Sequence, residues 1–421
     1  MYKNSILLFV CISLISSCFT LTFAQNSTNS PYTRFGLGNV SDNANSARRA
    51  LGGASVGFRS AKEINTVNPA SYSAVDSLSF MFDVGLSAMY SHFADANGST
   101  GKMNGNLEYV AIQFPVAKFL GISAGLLPYS FSGYSFSNKT RSQIDPQNPA
   151  DTVWTTGTYN GAGTISQVYL GVGGKFLKHF SAGINTYYMF GNITNSRQTS
   201  NVPTAYSSTY QEDRIAVNTF RFRYGLQYFR TINKKHDISV GIFYENKMKM
   251  SGNKFTYDRI SISQVSDTVS YSNYFDLPQN FGIGMYYSIN KQFTVGADFS
   301  MQQWKSAKFF GKTDSLSNRW KFAAGVEYVP NLQGYRYSDH LRYRVGLTLS
   351  NSYYDVNGHT LPPNIGVSVG LGIPMPKSKS IINASLEYSK IGNRSAMSEN
   401  VFKLTLSATI NELWFFKREL H

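Results

Sequence analysis

The feature that most constrains this chain is a strict two-residue alternation of apolar and polar side chains. In Phe293–Met301 every odd-numbered residue is apolar, whereas the even-numbered residues are Thr, Gly, Asp and Ser. Because successive side chains of a strand point to opposite faces, this segment predicts a β-strand with one apolar and one polar face. The pattern recurs through the chain, for example at 342–349, 365–373 and 402–410.

The connections between patterned segments alternate in length. Short basic turns such as KFLG, KHF, KKHD and KQF alternate with longer polar segments at 133–163, 194–214 and 251–278. Short periplasmic turns and long extracellular loops are typical of outer-membrane barrels. The sequence predicts fourteen strands, at 78–92, 105–117, 119–132, 164–176, 179–193, 215–231, 236–250, 280–290, 292–304, 319–330, 341–353, 364–374, 381–391 and 400–412.

Composition separates two β architectures. The chain has 15% aromatic and only 15% charged residues, with 28 Tyr, 30 Phe and 35 Gly. This favours an all-β transmembrane antiparallel barrel, whose apolar face meets lipid and whose aromatic girdles lie at the two interfaces. In the alternative, a soluble sandwich or propeller, the same apolar face would be turned inward.

The N-terminal segment predicts export. Lys3 precedes the apolar run ILLFVCISLI, and small residues follow up to Ala24. Residues 1–24 are therefore predicted to be a signal peptide cleaved after Ala24, with lipidation at Cys18 as the alternative. Both cysteines, Cys11 and Cys18, lie in this segment, so the cleaved chain would have no disulfide and no thiolate site.

The sequence gives no basis for an enzyme. The six histidines show no metal-ligand spacing, and no nucleophile elbow, phosphate loop or HExxH motif occurs. We therefore expect no catalytic residues, no metal site and no cofactor. A high pI alone is a weak signal for nucleic-acid binding, and no nucleic-acid partner is expected.

Three motifs occur in a characteristic order. INTVNPASY follows the small-residue run RALGGASVGF; LPQNFGIGMYY at Leu277–Tyr287 leads on to Asp298 and Trp304; and YRVGL at Tyr343–Leu347 precedes Pro362. Together they resemble the FadL/TodX family of outer-membrane transporters of long-chain fatty acids and hydrocarbons. The resemblance covers nearly the whole chain after residue 24.

The resemblance implies an N-terminal plug, or hatch, inside a fourteen-stranded barrel. The domains would then be a plug at 25–77, a barrel at 78–416 and a tail at 417–421. The hatch motif maps to Asn68, Pro69 and Ala70. Pro69 fixes its own φ and disfavours helical backbone at Asn68, whose side chain can bond the backbone two residues on, so we expect a tight turn at the end of the plug.

The resemblance also implies a lateral opening at a kink in the third strand. Pro128 lies in that predicted strand, between Gly125 and Gly133. Proline cannot donate a ladder hydrogen bond and glycine weakens pairing, so a break is physically expected here. The alternative is that Pro128 merely ends the strand and begins a long loop.

The formal net charge of +15 directs attention to basic residues. Those predicted to lie in the plug or on the lumen face could attract the carboxylate of a ligand, namely Arg48, Arg49, Arg59, Arg221 and Arg223. Carboxylates on the same face, such as Glu245, Asp298 and Glu327, offer the alternative of ion pairing within the protein. Basic residues on the outer surface could meet lipopolysaccharide phosphates.

Two functions follow for an outer-membrane protein of this type. The first is passive uptake of a hydrophobic, fatty-acid-like small molecule that leaves sideways through the third-strand opening. The second is a FadL-like barrel that docks other proteins at its extracellular loops within a secretion or assembly machinery, as PorV-like proteins do. A transporter needs a continuous apolar path from the loops to Pro128, whereas a docking protein needs only an exposed loop face.

Overall fold

The computed structural model describes residues 27–414, except 97, 144–151, 203–207, 251, 261–262, 273–274, 310, 312–315, 357–358, 377 and 394–396. Its dominant element is a barrel. The barrel strands are β1 (Ser79–Ala94), β2 (Ser99–Ala117), β3 (Leu120–Gln143), β4 (Thr152–Phe176), β5 (Phe180–Val202), β6 (Thr209–Ile232), β7 (His236–Glu245), β8 (Asn280–Ile289), β9 (Phe293–Gln302), β10 (Arg319–Tyr328), β11 (Arg342–Ser350), β12 (Asn364–Pro374), β13 (Ile381–Asn393) and β14 (Met397–Leu413).

Each strand pairs antiparallel with its neighbours in sequence, and the sheet closes on itself. Closure is made by β1 and β14, which are in register from Ser79 opposite Leu413 to Ala94 opposite Ser398. A closed sheet has no free edge along its paired length, which is what a membrane-spanning sheet requires. The predicted fold class, an antiparallel barrel of fourteen strands, is confirmed.

The outer face of the barrel is an apolar band between two aromatic zones. At the periplasmic end Phe80 stacks on Trp414 with ring centroids 4.1 Å apart. Towards the extracellular end Tyr188 packs against Phe220 at 5.2 Å. Between these zones the outward side chains, such as Leu406, are exposed and apolar. This arrangement fits a lipid-facing band with interfacial girdles.

The segments predicted as long loops are largely strand, which corrects the expectation at 133–163, 194–214 and 251–278. Strands β3 to β6 are 23 to 25 residues long, and a hairpin of Gly252–Ile260 with Ser263–Ser272 adds to the upper part of β6. Above the membrane both faces of a strand meet water or polar neighbours, so the alternation that reveals a strand in lipid is missing. We call the upper parts of β3–β6 and this hairpin the extracellular wall.

Small elements close the barrel mouth. Met248–Met250 pairs with Phe275–Leu277, and Asp355–Val356 pairs with His359–Thr360. A short 3₁₀ helix lies beside them at Trp304–Ser306, and another, at Tyr337–His340, lies at the opposite, periplasmic end of the barrel. Among the described residues, no helix is long and apolar enough to cross a bilayer.

Residues 27–77, which we call the plug, have little regular structure. They contain 3₁₀ helices at Pro31–Arg34 and Pro69–Ala74, a short strand at Asn39–Val40 and one turn of α-helix, α1 (Ser46–Arg49). Asn45 caps α1 by accepting the N–H of Arg48 at 3.0 Å. The plug contacts lumen-side atoms of strands around the whole barrel, from β2 to β14, and can do so only from inside the lumen.

Candidate functional site: the plugged lumen and the third-strand seam

The plug backbone lies directly against a belt of wall glycines. A Cβ added at Gly183 would lie 2.5 Å from the carbonyl carbon of Pro69, and one at Gly284 would lie 2.8 Å from the nitrogen of Gly57. Only glycine allows another backbone to approach a strand so closely. The belt runs around most of the barrel, at Gly121, Gly173, Gly183, Gly241, Gly284, Gly325 and Gly346, while Gly225 and Gly370 face side-chain atoms of the plug residues Asn68 and Ala50.

The NPASY segment forms the turn that meets this belt. Asn68 has an extended backbone, with φ −123° and ψ 107°, and its Oδ1 accepts the N–H of Ala70 at 3.1 Å. Its Nδ2 donates to the carbonyl of Val56 at 2.8 Å. Pro69 begins the 3₁₀ helix, where its missing N–H costs nothing. Asn68 thus ties both the turn and the preceding plug loop.

Buried ion pairs connect the plug to strands β10 and β11 of the barrel wall. Arg48 in the plug donates to Glu63 at 2.9 Å, and Glu63 lies 3.5 Å from Arg344 of β11. Arg344 also donates to Glu327 of β10 at 2.6 Å, and Arg342 joins Glu327 at 2.8 Å. All these groups except the partly exposed Arg342 are buried, so removing a buried member would leave an unpaired buried charge.

A second cluster surrounds Arg49. Its guanidinium donates to Glu108 of β2 at 2.8 Å and lies 3.6 Å from Asp42 of the plug. Lys403 of β14 completes the shell of Glu108 at 2.6 Å, and Lys321 of β10 joins Asp42 at 2.5 Å. The cluster joins the plug to strands on three parts of the barrel wall.

Arg221 and Arg223 share one acid. Glu245 of β7 accepts from Arg221 at 2.9 Å and from Arg223 Nε at 2.5 Å, and Asn280 donates to it at 2.8 Å. Arg223 also donates to the plug carbonyl of Val67 at 2.9 Å. Both guanidinium groups are therefore bonded within the protein.

Arg59 differs from the other four candidate arginines. It donates to the Ala70 carbonyl at 3.2 Å and to the hydroxyls of Ser73 and Ser181 at 3.1 Å, and it stacks over Phe229 at 4.0 Å. No carboxylate lies within ion-pair distance of it among the described residues. A ligand head-group role for any of the five arginines stays a prediction, and Arg59 is the one whose charge is unmatched.

The extracellular half of the lumen is divided between an apolar cluster and a polar cavity. The cluster packs plug residues Leu37 and Val40 against mouth residues such as Phe275, Leu277 and Trp304. Its members are all nearly inaccessible to water. The mouth is therefore closed on this side by a packed core that reaches Tyr129, beside Pro128.

The polar cavity lies on the opposite side, next to β10–β14, and has a volume of about 260 Å³. Charged and hydroxyl side chains dominate its lining, including Glu108, Arg319, Lys403 and Glu399. Its floor is the Arg49 ion-pair cluster. An alkyl chain placed here would desolvate charges without replacing their partners.

Pro128 lies where the barrel ladder is interrupted. Strands β2 and β3 pair only up to Val110 opposite Leu126, and Gly125 is the residue just before this last pair. Beyond it a bulge separates Pro128 from Ser130 in the β3–β4 ladder. Beyond this point, in the described ladders of the barrel wall, Ser99–Tyr109 of β2 pairs with β1, and β3 pairs with β4. We call this interval, in which β2 and β3 are not paired with each other, the seam.

Residues 27–41 of the plug, which we call the strap, occupy the β3 side of the seam. Asn39 and Val40 pair with Phe131 and Ser130, and Ser41 donates its N–H to Tyr129 at 2.9 Å. Thr33 Oγ1 accepts the N–H of Gly133 at 3.1 Å. On the β2 side, Asn29 Nδ2 donates to Asn104 Oδ1 at 2.7 Å, and Asn106 Nδ2 donates to the carbonyl of Ser27 at 2.8 Å.

Several residues that connect the plug to the barrel wall were not identified from the sequence. Glu63, Glu108 and the strap carry no motif, because an acid or a short polar segment is informative only once its partner is known. The glycine belt did leave a signal, since glycine recurs at inward positions of many strands, as at Gly346 and Gly370.

A closed fourteen-stranded barrel with apolar outer band, aromatic girdles and an interior segment defines an outer-membrane protein of the FadL-like fold. By sequence, the chain belongs to the BamG family, whose model matches residues 1–421. No curated protein sequence matches it.

Solved structures agree on the fold at low sequence identity. A Pseudomonas aeruginosa FadL homologue superimposes with a TM-score of 0.61 at 13% identity, covering 87% of this chain and 98% of its own. The Ralstonia pickettii toluene transporter TbuX gives 0.58 at 13% identity, covering 87% and 97%. The monoaromatic hydrocarbon channel CymD gives 0.57 at 11% identity, covering 89% and 98%. The predicted resemblance to the FadL/TodX group is thus confirmed for the fold.

Proposed function

We propose that this protein is a sealed outer-membrane barrel that docks partner proteins at the cell surface, as a component of a secretion or assembly machinery. The observation that carries this proposal is the state of the lumen. The plug is held by the glycine belt and buried ion pairs, the mouth by a packed apolar cluster and the seam by the strap. The cavity beside β10–β14 is lined mainly by charged and hydroxyl-bearing residues.

The extracellular wall supplies the docking face. A tilted strand of about 9–11 residues spans a bilayer, whereas β3–β6 each have 23 to 25. On β5 the strand continues from the girdle residue Phe190 to Val202, which is about 40 Å along the strand. This part of the barrel lies beyond the membrane, where it can contact other proteins.

The outer face of the wall carries residues that suit a protein interface. Trp154 is 39% exposed there, with Lys139 and Arg141 placed over its ring at 4.8 and 5.7 Å, and Val202 lies opposite it. Exposed tryptophan and arginine are the residue types most enriched among interface hot spots. We call Lys139, Arg141, Trp154 and Val202 the wall patch.

The proposal is tested by affinity purification of the full chain from its own outer membrane. A Trp154→Ala, Arg141→Ala double variant should reduce co-purifying protein at least tenfold, since hot-spot losses exceed about 2 kcal/mol. Tyr335→Ala, in an exposed turn at the opposite end of the barrel, is the matched control. Equal recovery from both variants, or no partner with the unaltered chain, would contradict the proposal.

A second candidate is passive uptake of hydrophobic, fatty-acid-like compounds by lateral diffusion through the seam. It is favoured by the apolar cluster, which extends from Phe275 and Leu277 at the mouth to Tyr129 beside the Pro128 bulge. If the cluster opened, it would form an apolar path to lipid. Two of the named structural neighbours are described as a monoaromatic hydrocarbon channel and a toluene transporter.

An uptake assay distinguishes the docking function from the channel function. Proteoliposomes carrying the protein are assayed for entry of radiolabelled oleate and toluene, with Leu277→Arg to block the path. The channel function requires uptake above empty vesicles that falls at least tenfold in this variant. The docking function requires no uptake and an unchanged partner yield, because Leu277 is buried away from the wall patch.

A further inference from the structure

The inner face of the extracellular wall carries two rows of cross-strand neighbours above the sealed mouth. The lower row follows directly on Ile193 and Ile215, which belong to the apolar cluster of the mouth. From β3 to β6 the members are Tyr134, Gly161, Asn195 and Asp213 in the lower row, and Phe136, Tyr159, Arg197 and Gln211 in the upper row. The upper row therefore lies on the extracellular side of the packed cluster.

The strap shows that these rows face the barrel axis. Thr33 Oγ1 accepts the N–H of Gly133 inside the barrel, and the next strap residue, Arg34, places its guanidinium carbon 4.7 Å from the ring centre of Tyr159. Trp154 lies five positions from Tyr159 along a regular part of the β3–β4 ladder, so it projects to the opposite face. The two rows and the wall patch are thus opposite faces of one wall.

The lower row is flat and held in place by its own contacts. The hydroxyl of Tyr134 donates to Asn195 Oδ1 at 2.9 Å, two strands away. The ring reaches across β4 because Gly161 lies beneath it, where an added Cβ would overlap the ring. The row thus gives the upper row a rigid base.

The upper row gathers two cations around a pair of aromatic rings. Phe136 stacks on Tyr159 with ring centroids 5.1 Å apart and an interplanar angle of 18°. The guanidinium carbon of Arg197 lies 5.6 Å from the centre of the same Tyr159 ring that Arg34 approaches from the strap. Both arginines are exposed. A guanidinium group that lies on a ring can still direct its planar fork of N–H donors to a carboxylate.

We infer that Arg34, Phe136, Tyr159 and Arg197, which we call the inner site, bind an acidic peptide segment of the partner protein. This inference rests on the proposed docking function and names the chemistry of the partner. Carboxylates of the segment accept hydrogen bonds from the two guanidinium groups, and a neighbouring side chain packs on the aromatic pair. Two like charges near one another repel, so an anion bound between them is attracted by both.

The position of the inner site favours a protein ligand over lipopolysaccharide. Arg197 lies seven residues beyond the girdle residue Phe190, which is about 20 Å along the strand, and it faces the barrel axis. Lipid phosphates lie outside the barrel at the level of the girdle. The wall patch lies farther along the same hairpin, towards its end at Gln143 and Thr152, so one docked protein can contact both faces of the wall.

The first test uses a photo-cross-linking amino acid placed singly in the full chain in its native outer membrane. Gln211, exposed at the end of the upper row, reports on the inner site, and Val202 reports on the wall patch. Val345, exposed on the lipid-facing wall, is the control position. We expect Gln211 to give an adduct with a peptide of another protein that contains Asp or Glu, at least tenfold above the control position.

Charge removal then tests the two arginines. An Arg34→Gln, Arg197→Gln double variant should lower the Gln211 adduct at least tenfold, because the carboxylates lose both guanidinium partners. Arg214→Gln is the matched control, since Arg214 is exposed beside Asp213 and projects to the outer face of the same wall. It should leave the adduct unchanged. Unheated gel mobility shows that each variant keeps its barrel.

The acidic character of the segment is tested with the cross-linked peptide itself. A synthetic copy and a second copy with each Asp replaced by Asn and each Glu by Gln are compared for binding to the purified full chain. The acidic copy should bind at least tenfold more tightly. The difference should disappear in the Arg34→Gln, Arg197→Gln variant.

Several outcomes would overturn the inference. Equal binding of the two peptide copies would show that acidity is irrelevant, and a saccharide or lipid adduct at Gln211 would replace the peptide ligand. A peptide from a second copy of this chain would replace it with self-association. Protein adducts at Val202 without any at Gln211 would remove the inner site and leave the wall patch standing. Absence of protein adducts at both positions would remove the docking function as well.

Discussion

At the scale of single residues, the plug is held both by wall glycines, which have no side chain to keep its backbone away, and by wall side chains that bond to it. A glycine in the belt has no packing energy of its own, but it lets the plug carbonyls and amides lie within van der Waals distance of a strand. Around it, Asp298 accepts the N–H of Val56 at 2.6 Å and also that of Ser55, which fixes the loop between the belt contacts.

Gly183→Ala tests the belt. Its Cβ would lie 2.5 Å from the backbone of Pro69, which has no freedom to move without displacing the NPASY turn. Overpacking of this kind costs about 1–3 kcal/mol. We expect a lower temperature for the heat-induced gel-mobility shift and faster hydrogen exchange at 66–74. Gly366→Ala is the control, because its nearest atoms would lie at 3.5 Å or more; equal effects in both variants would refute the belt's role.

A titratable residue of the barrel wall, Glu399 of β14, holds one part of the strap. This residue lies three positions nearer the extracellular end of β14 than Phe402, whose ring packs on Tyr388 at 5.0 Å in the extracellular aromatic zone. It is therefore outside the membrane band, and Ser30 donates to its Oε2 at 2.5 Å. Burial raises the pKa of Glu399 to about 7, while the Ser30 and Ser91 hydroxyls oppose the rise. Tyr32 and Tyr354 lie near it, and no basic side chain pairs with it among the described residues.

The sign of the resulting pH dependence follows from that raised pKa. Between about pH 4.5 and 7, Glu399 keeps a proton while the strap is bound to the wall but loses it when the strap is released. Binding of the strap to the wall therefore weakens as pH rises through this range and is constant outside it. The full effect is about 3 kcal/mol at most. Hydrogen exchange of residues 28–33 should accelerate from pH 5 to pH 8 after correction for intrinsic rates. Glu399→Gln should remove this dependence, and its persistence would contradict the assignment.

At the scale of elements, we expect the strap to separate from β3 without unfolding of the barrel. Thr33→Val keeps the side-chain shape but removes the hydroxyl that bonds Gly133 N–H at 3.1 Å and the Ser30 carbonyl at 2.6 Å. Leaving such groups unpaired costs about 1–3 kcal/mol. We expect strap amides to exchange about tenfold faster or more, with barrel amides unchanged. Thr140→Val, exposed on the wall, should change neither; a uniform change would mean that the strap is not a separate unit.

The strand ends show which part of the fold the sequence could predict. Periplasmic ends were predicted within a residue or two, as at Phe180 and Ile232, because basic turns and the apolar outer face end together there. Extracellular ends were missed by as many as a dozen residues, as at Gln143 and Thr152. Above the lipid no physical force demands an apolar face, so the pattern disappears while the hydrogen-bonded ladder continues.

The candidate site was partly predictable for a similar reason. The turn at Asn68 and Pro69 and the break at Pro128 follow from local backbone chemistry, which a short segment reveals by itself. The pairing of Arg49 with Glu108, or of Glu63 with Arg344, joins residues from distant parts of the chain. Which carboxylate meets which guanidinium depends on barrel register and plug path, and neither is encoded locally. The seal at the seam was not predictable at all, because it needs the strap and β3 in one place.

At the scale of the whole molecule, the plug, the apolar cluster at the mouth and the strap together predict that the barrel is closed to ions. In planar bilayers the full chain should show no steady ionic conductance, because the plug lies against the glycine belt around most of the wall. Deleting residues 43–74 removes the belt contacts and both plug-borne arginines of the ion-pair clusters. A fourteen-stranded wall without them encloses an interior wider than its own side chains can fill, so we expect a stable ohmic pore.

Barrel formation in the deletion variant is checked by its unheated gel mobility, which separates loss of the plug from loss of the fold. The cavity near β10–β14 refines the expectation, since its polar lining should be the first region to admit ions once Arg49 and its partners are gone. Glu108→Gln, which weakens one cluster and leaves the belt intact, should stay closed. Steady conductance in the unaltered chain would show that the plug is not a seal, and would shift the balance from a docking protein back to a channel.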